Sequence, residues 1–416
     1  MKILIYGLNY APELIGIGKY TGELGGWLAE HGHLVRAVTA PPYYPQWRVA
    51  TGYSSSRYLR ETINGVLIYR CPLWVPRHPK VVYRFVHLAS FAINSLPVVL
   101  IQALLWRPEI ILVVQPPFLS APGAWLAARL SGARVWMHVQ DHELDAAFEV
   151  GLLRGSWLRR SLAVVERAVL SRMDRISSIS SEMLRLLTQK GVPPEKQVFF
   201  PNWVDTLQIK PMDRPSHFRK HLGLGDGDVV ALYAGNMGRK QALEHLIEAA
   251  RRLERSPHLR IVLSGDGPMR LALEKEGRGL SNVRFLPLQP AEEFNELLNL
   301  ADLHLLMQRT DSTGPFMPSK LAGMLASGRP VVATVHPDSD VAHSIEGCGR
   351  IVPPGQPVAL AQAILELAQE PEKRRLLGER ARRVAVQTWE KENILRKFEQ
   401  ELADLHRSHR ELSHAR

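Results

Sequence analysis

Apolar residues fall along this chain in short unbroken runs separated by amphipathic stretches, and the alternation continues almost from end to end. Such runs read as strands covered on both faces of a sheet, and the stretches between them as helices. In the first half the strand signals are KILIYG, LVRAVTA, VLIYRCP, IILVVQ, RVWMHVQ, RISSIS and VFFPN, with helices near 19–31, 121–131, 156–172 and 181–190. The second half repeats the scheme with VVALYAG, RIVLSGDG, VRFLPLQ, DLHLLMQ, RPVVATV and GRIVPP. This predicts an α/β chain of two similar doubly wound domains. The polar, proline-bearing segment FFPNWVDTLQIKPMDRP (199–215) reads as the linker. The expected division is 1–205, 206–388 and a helical tail, 389–416, packing back towards the first domain. The long helical stretch from 357 to 411 is expected to break near Pro371 and Gly378.

Composition fits this picture. The 416 residues exceed one ordinary domain, and 45% hydrophobic with 22% charged is ordinary for a soluble globular protein. Cys71 and Cys348 are the only cysteines and lie in different halves, which excludes a disulfide framework or a cysteine zinc site. The chain opens directly on KILIYG, so secretion by a signal peptide is not expected. The net charge of +11 is uneven, +8 in residues 1–205 and +3 in 206–416. The first-half cations cluster between Arg57 and Arg84 and again between Arg154 and Arg175. They are either solvated faces or the footprint of an anionic partner. No nucleic-acid motif accompanies the charge, so an anionic membrane surface is the expected partner and nucleic acid is not. Residues 85–106, FVHLASFAINSLPVVLIQALLW, hold no charged side chain between Arg84 and Arg107. The segment reads as a partly buried helix of the first domain, a helix dipping into a membrane surface, or a span. Asn94, Ser95 and Pro97 weigh against the last.

Candidate chemistry concentrates at the glycines. In VVALYAGNMGRK (229–240) a buried strand runs into a loop punctuated by Gly235 and Gly238, with a helix expected from Gln241 onward. Free amides, a helix dipole and the cations Arg239 and Lys240 together favour an anion. Gly16-Ile-Gly18-Lys19-Tyr20 is not a nucleotide-hydrolase phosphate loop, because Glu13 and Tyr20 stand where that motif needs Gly and Ser or Thr. It is not a dinucleotide fingerprint either, since LNYAPELI separates it from the first strand. What remains is a long loop, PELIGIGKYTGEL, whose small residues permit close approach of something in a cleft between domains. HVQDHELD (138–145) gathers titratable groups at the C-terminal edge of a strand, where open α/β sheets bind ligands.

Together the PELIGIGKY loop, Pro201-Asn202-Trp203-Val204-Asp205, AGNMGRKQALE, Gly265-Asp266-Gly267-Pro268 and Pro318-Ser319-Lys320 followed by LAGMLASGRPVVAT resemble the family 4 glycosyltransferases. The segments TAPPYYPQW and CPLWVP resemble the colanic-acid-type fucosyltransferase branch of that family. The resemblance covers nearly the whole chain and implies the GT-B fold: two facing Rossmann-like domains with a cleft between them. It implies a retaining, metal-independent transfer of a sugar from a nucleotide diphosphate, GDP-fucose favoured, to a polyprenyl-diphosphate oligosaccharide in exopolysaccharide synthesis, with no cofactor. The enzyme would then be cytoplasmic and peripheral on the inner face of the cytoplasmic membrane. The donor site implied comprises Gly16, Gly18, Gly235, Asn236, Gly238, Arg239, Lys240, Gly265, Asp266, Gly267, Leu288, Asp311, Pro318, Ser319, Lys320 and Leu321, with Lys240 and Lys320 at exposed helix starts. The family's paired glutamates are replaced here by Pro315 and Gly323, and its His-Asp pair by Gln140-Asp141. Asp141 is the expected catalytic carboxylate, with His138 next. A sugar-nucleotide 2-epimerase of the same architecture, or a non-catalytic membrane-surface protein, are the readings from other classes.

Overall fold

The computed structural model describes residues 1–76, 81–145, 156–310 and 317–414. The chain divides into two compact units, Met1–Pro201 with Leu395–Arg416, and Asn202–Ile394. The expected linker belongs largely to the second unit. Arg382 donates to the Thr206 and Ile209 carbonyl oxygens, both at 2.8 Å, and Asn299 Oδ1 accepts from the Met212 amide at 3.0 Å.

In the first unit, β1 (Lys2–Gly7), β2 (Leu34–Thr39), β3 (Leu59–Ile63), β4 (Val66–Arg70), β5 (Ile110–Gln115), β6 (Arg134–Val139), β7 (Arg175–Ser178) and β8 (Gln197–Phe199) form one sheet. Its order is β3-β4-β2-β1-β5-β6-β7-β8, parallel except where β3 runs against β4. The order reverses beside β1, which pairs with β2 on one side and β5 on the other, and that reversal opens a crevice at the C-terminal strand ends. The apolar pattern reveals every strand but β3. LRETI sits at the sheet edge with Arg60 exposed and needs no apolar run. Its helices include α1 (Gly16–Glu30), α2 (Val81–Ile101), which runs on as a π-helical turn over Gln102–Trp106, and α3 (Ala121–Ser131).

The second unit carries β9 (Val229–Ala234), β10 (Leu259–Ser264), β11 (Val283–Leu286), β12 (Leu303–Met307), β13 (Val331–Thr334) and β14 (Gly349–Val352), all parallel in the order β11-β10-β9-β12-β13-β14. These are the six strands that the pattern predicts. Val230, Ala231, Leu232 and Tyr233 of β9 are fully enclosed. Helix Leu243–Arg252 adds Leu243, Leu246, Ile247 and Ala250 to the core at helical spacing. Each large side chain so buried contributes about 1.5–3 kcal/mol.

The C-terminal helices span Pro357–Gln369, Pro371–Thr388 and Lys391–His414. The expected break at Pro371 is present, but the one at Gly378 is not. A Cβ there would lie 2.3 Å from the Gly328 carbonyl oxygen, so this glycine serves close packing within a continuous helix. The chain breaks instead at Trp389 and Glu390, where Val204 bonds the Trp389 carbonyl at 2.8 Å and accepts from Lys391 at 3.0 Å.

Candidate active site

In the second unit, neighbouring strands β9 and β10 deliver two glycine loops to the same sheet end. Gly235 (φ 144°), Gly265 (φ 140°) and Gly267 (φ 149°) adopt backbone conformations that side chains resist. A Cβ on Gly265 would lie 2.0 Å from the Gly235 carbonyl oxygen, and one on Gly267 would lie 2.6 Å from Asn236 Oδ1. The loops are clipped together. The Met237 amide donates to the Asp266 carbonyl at 2.8 Å, Met269 donates to the Met237 carbonyl at 2.9 Å, and Tyr233 Oη donates to the Asn236 carbonyl at 2.6 Å. Gly238 donates to Gln241 Oε1 at 3.1 Å. Arg239, Lys240 and Gln241 form one 3-10 turn, and Ala242 holds a left-handed φ of 46° before the helix starts at Leu243. The helix expected from Gln241 is therefore preceded by a strained hinge residue.

Lys320 reaches this cradle from the start of helix Lys320–Ala326. Its Nζ lies 4.1 Å from the centre of the Tyr233 ring and 3.5 Å from where a Gly235 Cβ would stand. The exposed helix start expected for Lys320 is corrected: the residue is partly buried, and burial pulls its ammonium down to a pKa of about 7. Among the described residues no carboxylate pairs with Lys320, Lys240 or Arg239, the last two being exposed. A buried ammonium whose neighbour is an aromatic face is costly until an anion joins it. Asn236 and Asp266 are exposed at the rim, and Asp266 Oδ1 accepts from the Gly267 amide at 2.7 Å.

The other donor-site expectations are not all gathered here. Ser319 is exposed beside Lys320, and Pro318 is buried, its carbonyl accepting from the Leu321 amide at 3.0 Å. Leu321 is a core residue, 1% exposed, because its helix turns it inward, whereas Leu288 is 64% exposed. Asp311 and Pro315 lie outside the described residues. Gly16 and Gly18 belong to the first unit. The long loop expected around them is corrected, since α1 begins at Gly16. A Cβ on Gly18 would lie 2.4 Å from Glu13 Oε2. Gly18 thus makes room for a carboxylate of its own domain. Glu13 is buried and accepts from the amides of Tyr43 and Tyr44 and from Asn9 Nδ2.

Past the end of β6, Asp141 is exposed. His138 is a different matter: it is 4% exposed, its Nδ1 lies 2.9 Å from Ser177 Oγ, and its ring meets Phe200 edge-on. Burial holds the imidazole neutral, down to a pKa of about 3. The expectation that His138 stands second to Asp141 in catalysis is set aside, because a packed, neutral ring inside the sheet reaches no substrate.

Residues 16–203 match the family model described as a glycosyl transferase 4-like domain, and residues 228–370 match the glycosyl transferases group 1. The chain is similar, at 40% identity over 96% of its length and 98% of the other's, to the colanic acid biosynthesis glycosyl transferase WcaI of Escherichia coli K12. It belongs to the glycosyltransferases. Its fold is GT-B, with two Rossmann-like domains. Solved structures share it: sucrose-phosphate synthase from Thermosynechococcus elongatus (TM-score 0.75, 18% identity, 98% of this chain and 100% of that one) and Anabaena Alr3699/HepE in complex with UDP-glucose (TM-score 0.69, 15% identity, 97% and 100%).

One group of this glycosyltransferase escapes a reading of the sequence. Glu143, two residues beyond Asp141, accepts a hydrogen bond from the Phe118 amide, three residues past the end of the neighbouring strand β5. Burial raises its carboxyl to about 7, and the charge of Asp141 adds to the effect. The density of titratable residues in HVQDHELD was the available signal. That the half-buried Glu143 is the member whose carboxyl is raised was not legible. Among the described residues, His142, Asp145 and Glu166 bring ligand atoms within 4.8 Å of one another, as a metal site would. Lys190 Nζ already pairs there with both carboxylates, 2.6 Å from Glu166 Oε1, and burial drives His142 down to about 4. The ammonium stands where a metal would, so the cluster is an internal ion-pair network.

Proposed function

We propose that this glycosyltransferase moves fucose from GDP-fucose to a hydroxyl of a polyprenyl-diphosphate oligosaccharide, with retention and without a bound metal, in the assembly of a colanic-acid-type exopolysaccharide. The observation that carries the donor half is the partly buried ammonium of Lys320 between Tyr233 and Gly235, which has no carboxylate partner among the described residues. The bond from the anomeric carbon to the diphosphate breaks as the acceptor oxygen bonds that carbon, and negative charge grows on the departing phosphate. Lys320, Lys240, Arg239 and the loop amides are the groups that stabilise that charge. A metal is one solution to this problem; a ring of cations is another. Asp141 and Glu143 serve the acceptor, one exposed carboxylate to orient the hydroxyl and one carboxyl near its titration point to take the proton. The colanic acid assignment of the 40% identical relative supports the pathway, and the UDP-glucose complex of Alr3699/HepE supports the donor class.

A thermal-shift panel of GDP-fucose, GDP, UDP-glucose and UDP tests the donor half. The proposal expects GDP-fucose and GDP to raise the Tm, and Lys320→Met to abolish the rise. A panel in which no nucleotide moves the Tm defeats the cradle, and one in which only uridine nucleotides do so defeats the assignment of GDP-fucose.

A further inference from the structure

At the end of the second sheet opposite the glycine loops, the segments entering β12 and β13 border a cavity of about 600 Å³. Asp302 stands just before β12 and Arg329 two residues before β13, while helix Pro371–Thr388 supplies Arg374, Arg382 and Arg383 to the wall. Helix Lys320–Ala326 lies between the two sheet ends, with Lys320 at its start by the cradle and Arg329 just past its end. The wall is closely packed. A Cβ on Gly328 (φ 71°) would lie 2.8 Å from Pro211 Cγ, and one on Gly378 would lie 2.3 Å from the Gly328 carbonyl oxygen. The cavity is therefore bounded by backbone that has little room to shift.

Its charges do not balance, since five arginines line it against the two carboxylates of Asp302 and Glu379. Arg375 is paired with Glu379 and, at 2.7 Å, with Glu372. Asp302 accepts from the Val230 amide at 2.8 Å and from Arg219 at 3.4 Å. Arg382 donates to the carbonyl oxygens of Thr206, Ile209 and Ala326, and Arg374 Nη1 donates to those of Leu367 and Ala368 at 2.6 Å. Such bonds hold a guanidinium in place without cancelling its charge. Arg383 is exposed and Arg329 partly buried, and neither makes a hydrogen bond or ion pair among the described residues. The Arg329 Nε is shielded from water and still has no acceptor, which is costly until one enters.

We propose that this cavity is a second anion site, which takes the phosphate group of a small soluble organic phosphate, with Arg329 and Arg383 on the phosphate oxygens and Arg374 and Arg382 supplying fixed positive charge around them. A guanidinium fork matches two phosphate oxygens at once and stays charged at any physiological pH. The volume falls within the range of small-molecule pockets, about 300–1,000 Å³, and so leaves room for an organic body beyond the phosphate. The cavity and the donor cradle lie at opposite ends of the same sheet. The inference stands independently of the donor and acceptor named above.

The test is calorimetry of the full chain with inorganic pyrophosphate, with sulfate at matched ionic strength as the control. The donor cradle also favours a diphosphate, so the titrations compare Lys320→Met, in which that site is weakened, with a triple variant that adds Arg329→Met and Arg383→Gln. Lys320→Met should bind one pyrophosphate per chain, at least about tenfold more tightly than sulfate, and the triple variant should bind it at least about tenfold more weakly. Arg329→Met alone should not lower the ligand-free Tm, because it removes an enclosed charge that no partner compensates. Absence of pyrophosphate binding by Lys320→Met, equal affinity for sulfate, or undiminished binding by the triple variant overturns the proposal. So does a fall in the ligand-free Tm with Arg329→Met, because the guanidinium would then serve the fold and not a ligand.

Discussion

Replacing Lys320 by Met removes the charge at the donor cradle while keeping the length of its apolar stem. In the free enzyme burial lowers the ammonium from its ordinary 10.5 to about 7, so above neutrality the site is mostly uncharged. A diphosphate entering beside it restores the charge, and the enzyme must take up a proton to bind. At a pH near 8.5 the free site is only about 3% protonated, so uptake approaches one proton per nucleotide. The nucleotide's own terminal phosphate, with a pKa of about 6, is fully ionised there and contributes none. Affinity of the wild type should fall as pH rises from roughly 7.5 to 9.5, in all by about the 10- to 100-fold that the charge contributes at pH 7. A charge-assisted buried contact is worth about 1.5–3 kcal/mol, so at pH 7 Lys320→Met should bind roughly 10- to 100-fold more weakly. The variant's affinity should not change with pH across the same window. Calorimetry of GDP binding in buffers of different ionisation enthalpy reads the proton directly. Stability gives a second reading. Between about pH 7 and 10.5 the unfolded chain protonates this lysine and the folded chain does not, so the nucleotide-free protein gains stability as pH rises, and Lys320→Met flattens that gain. Wild-type binding without proton uptake at pH 8.5, or equal affinity in the variant, would refute the placement of Lys320 against the diphosphate.

Asp141→Asn should keep donor affinity and cut transfer by about two orders of magnitude in an initial-rate assay; near wild-type turnover removes Asp141 from the reaction. Glu143→Gln should abolish the limb of the pH–rate profile near 7 that its raised carboxyl produces, and persistence of that limb assigns it to another group. In Gly265→Ala the added Cβ meets the Gly235 carbonyl at 2.0 Å with φ at 140°. A loss of about 1–3 kcal/mol in denaturant unfolding should accompany loss of GDP binding, and unchanged binding means that the loops do not form the cradle. Transfer should continue in excess EDTA, whereas turnover lost under EDTA and restored by magnesium would place a metal on the diphosphate.

Most of the architecture was written in local pattern. The six strands of the second sheet are mostly apolar because both faces are covered, and Pro371 opens its own helix and stops the preceding one at Gln369. β3 stayed hidden because an edge strand can carry Arg60 and Glu61. The glycines were legible as special positions but not in their reasons. Gly265 and Gly235 meet where two strand-end loops pack together, while Gly18 yields space to Glu13 and Gly378 to the backbone at Gly328. Those reasons are tertiary and leave no trace in spacing. Burial of titratable groups was the least legible. Lys320 looked like a surface lysine until Tyr233, far back in the chain, was seen beneath its ammonium. His138 looked available until Ser177 and Phe200 closed around it.

The central claim, transfer of fucose from a nucleotide diphosphate by a cationic cradle, is tested most directly by following GDP release from GDP-fucose with and without a polyprenyl-diphosphate oligosaccharide. The wild type should release GDP and extend the oligosaccharide by one fucose only when both substrates are present, and Lys320→Met should do neither at a comparable rate. GDP-fucose left unconsumed in the presence of acceptor, or consumed equally without it, would contradict the account.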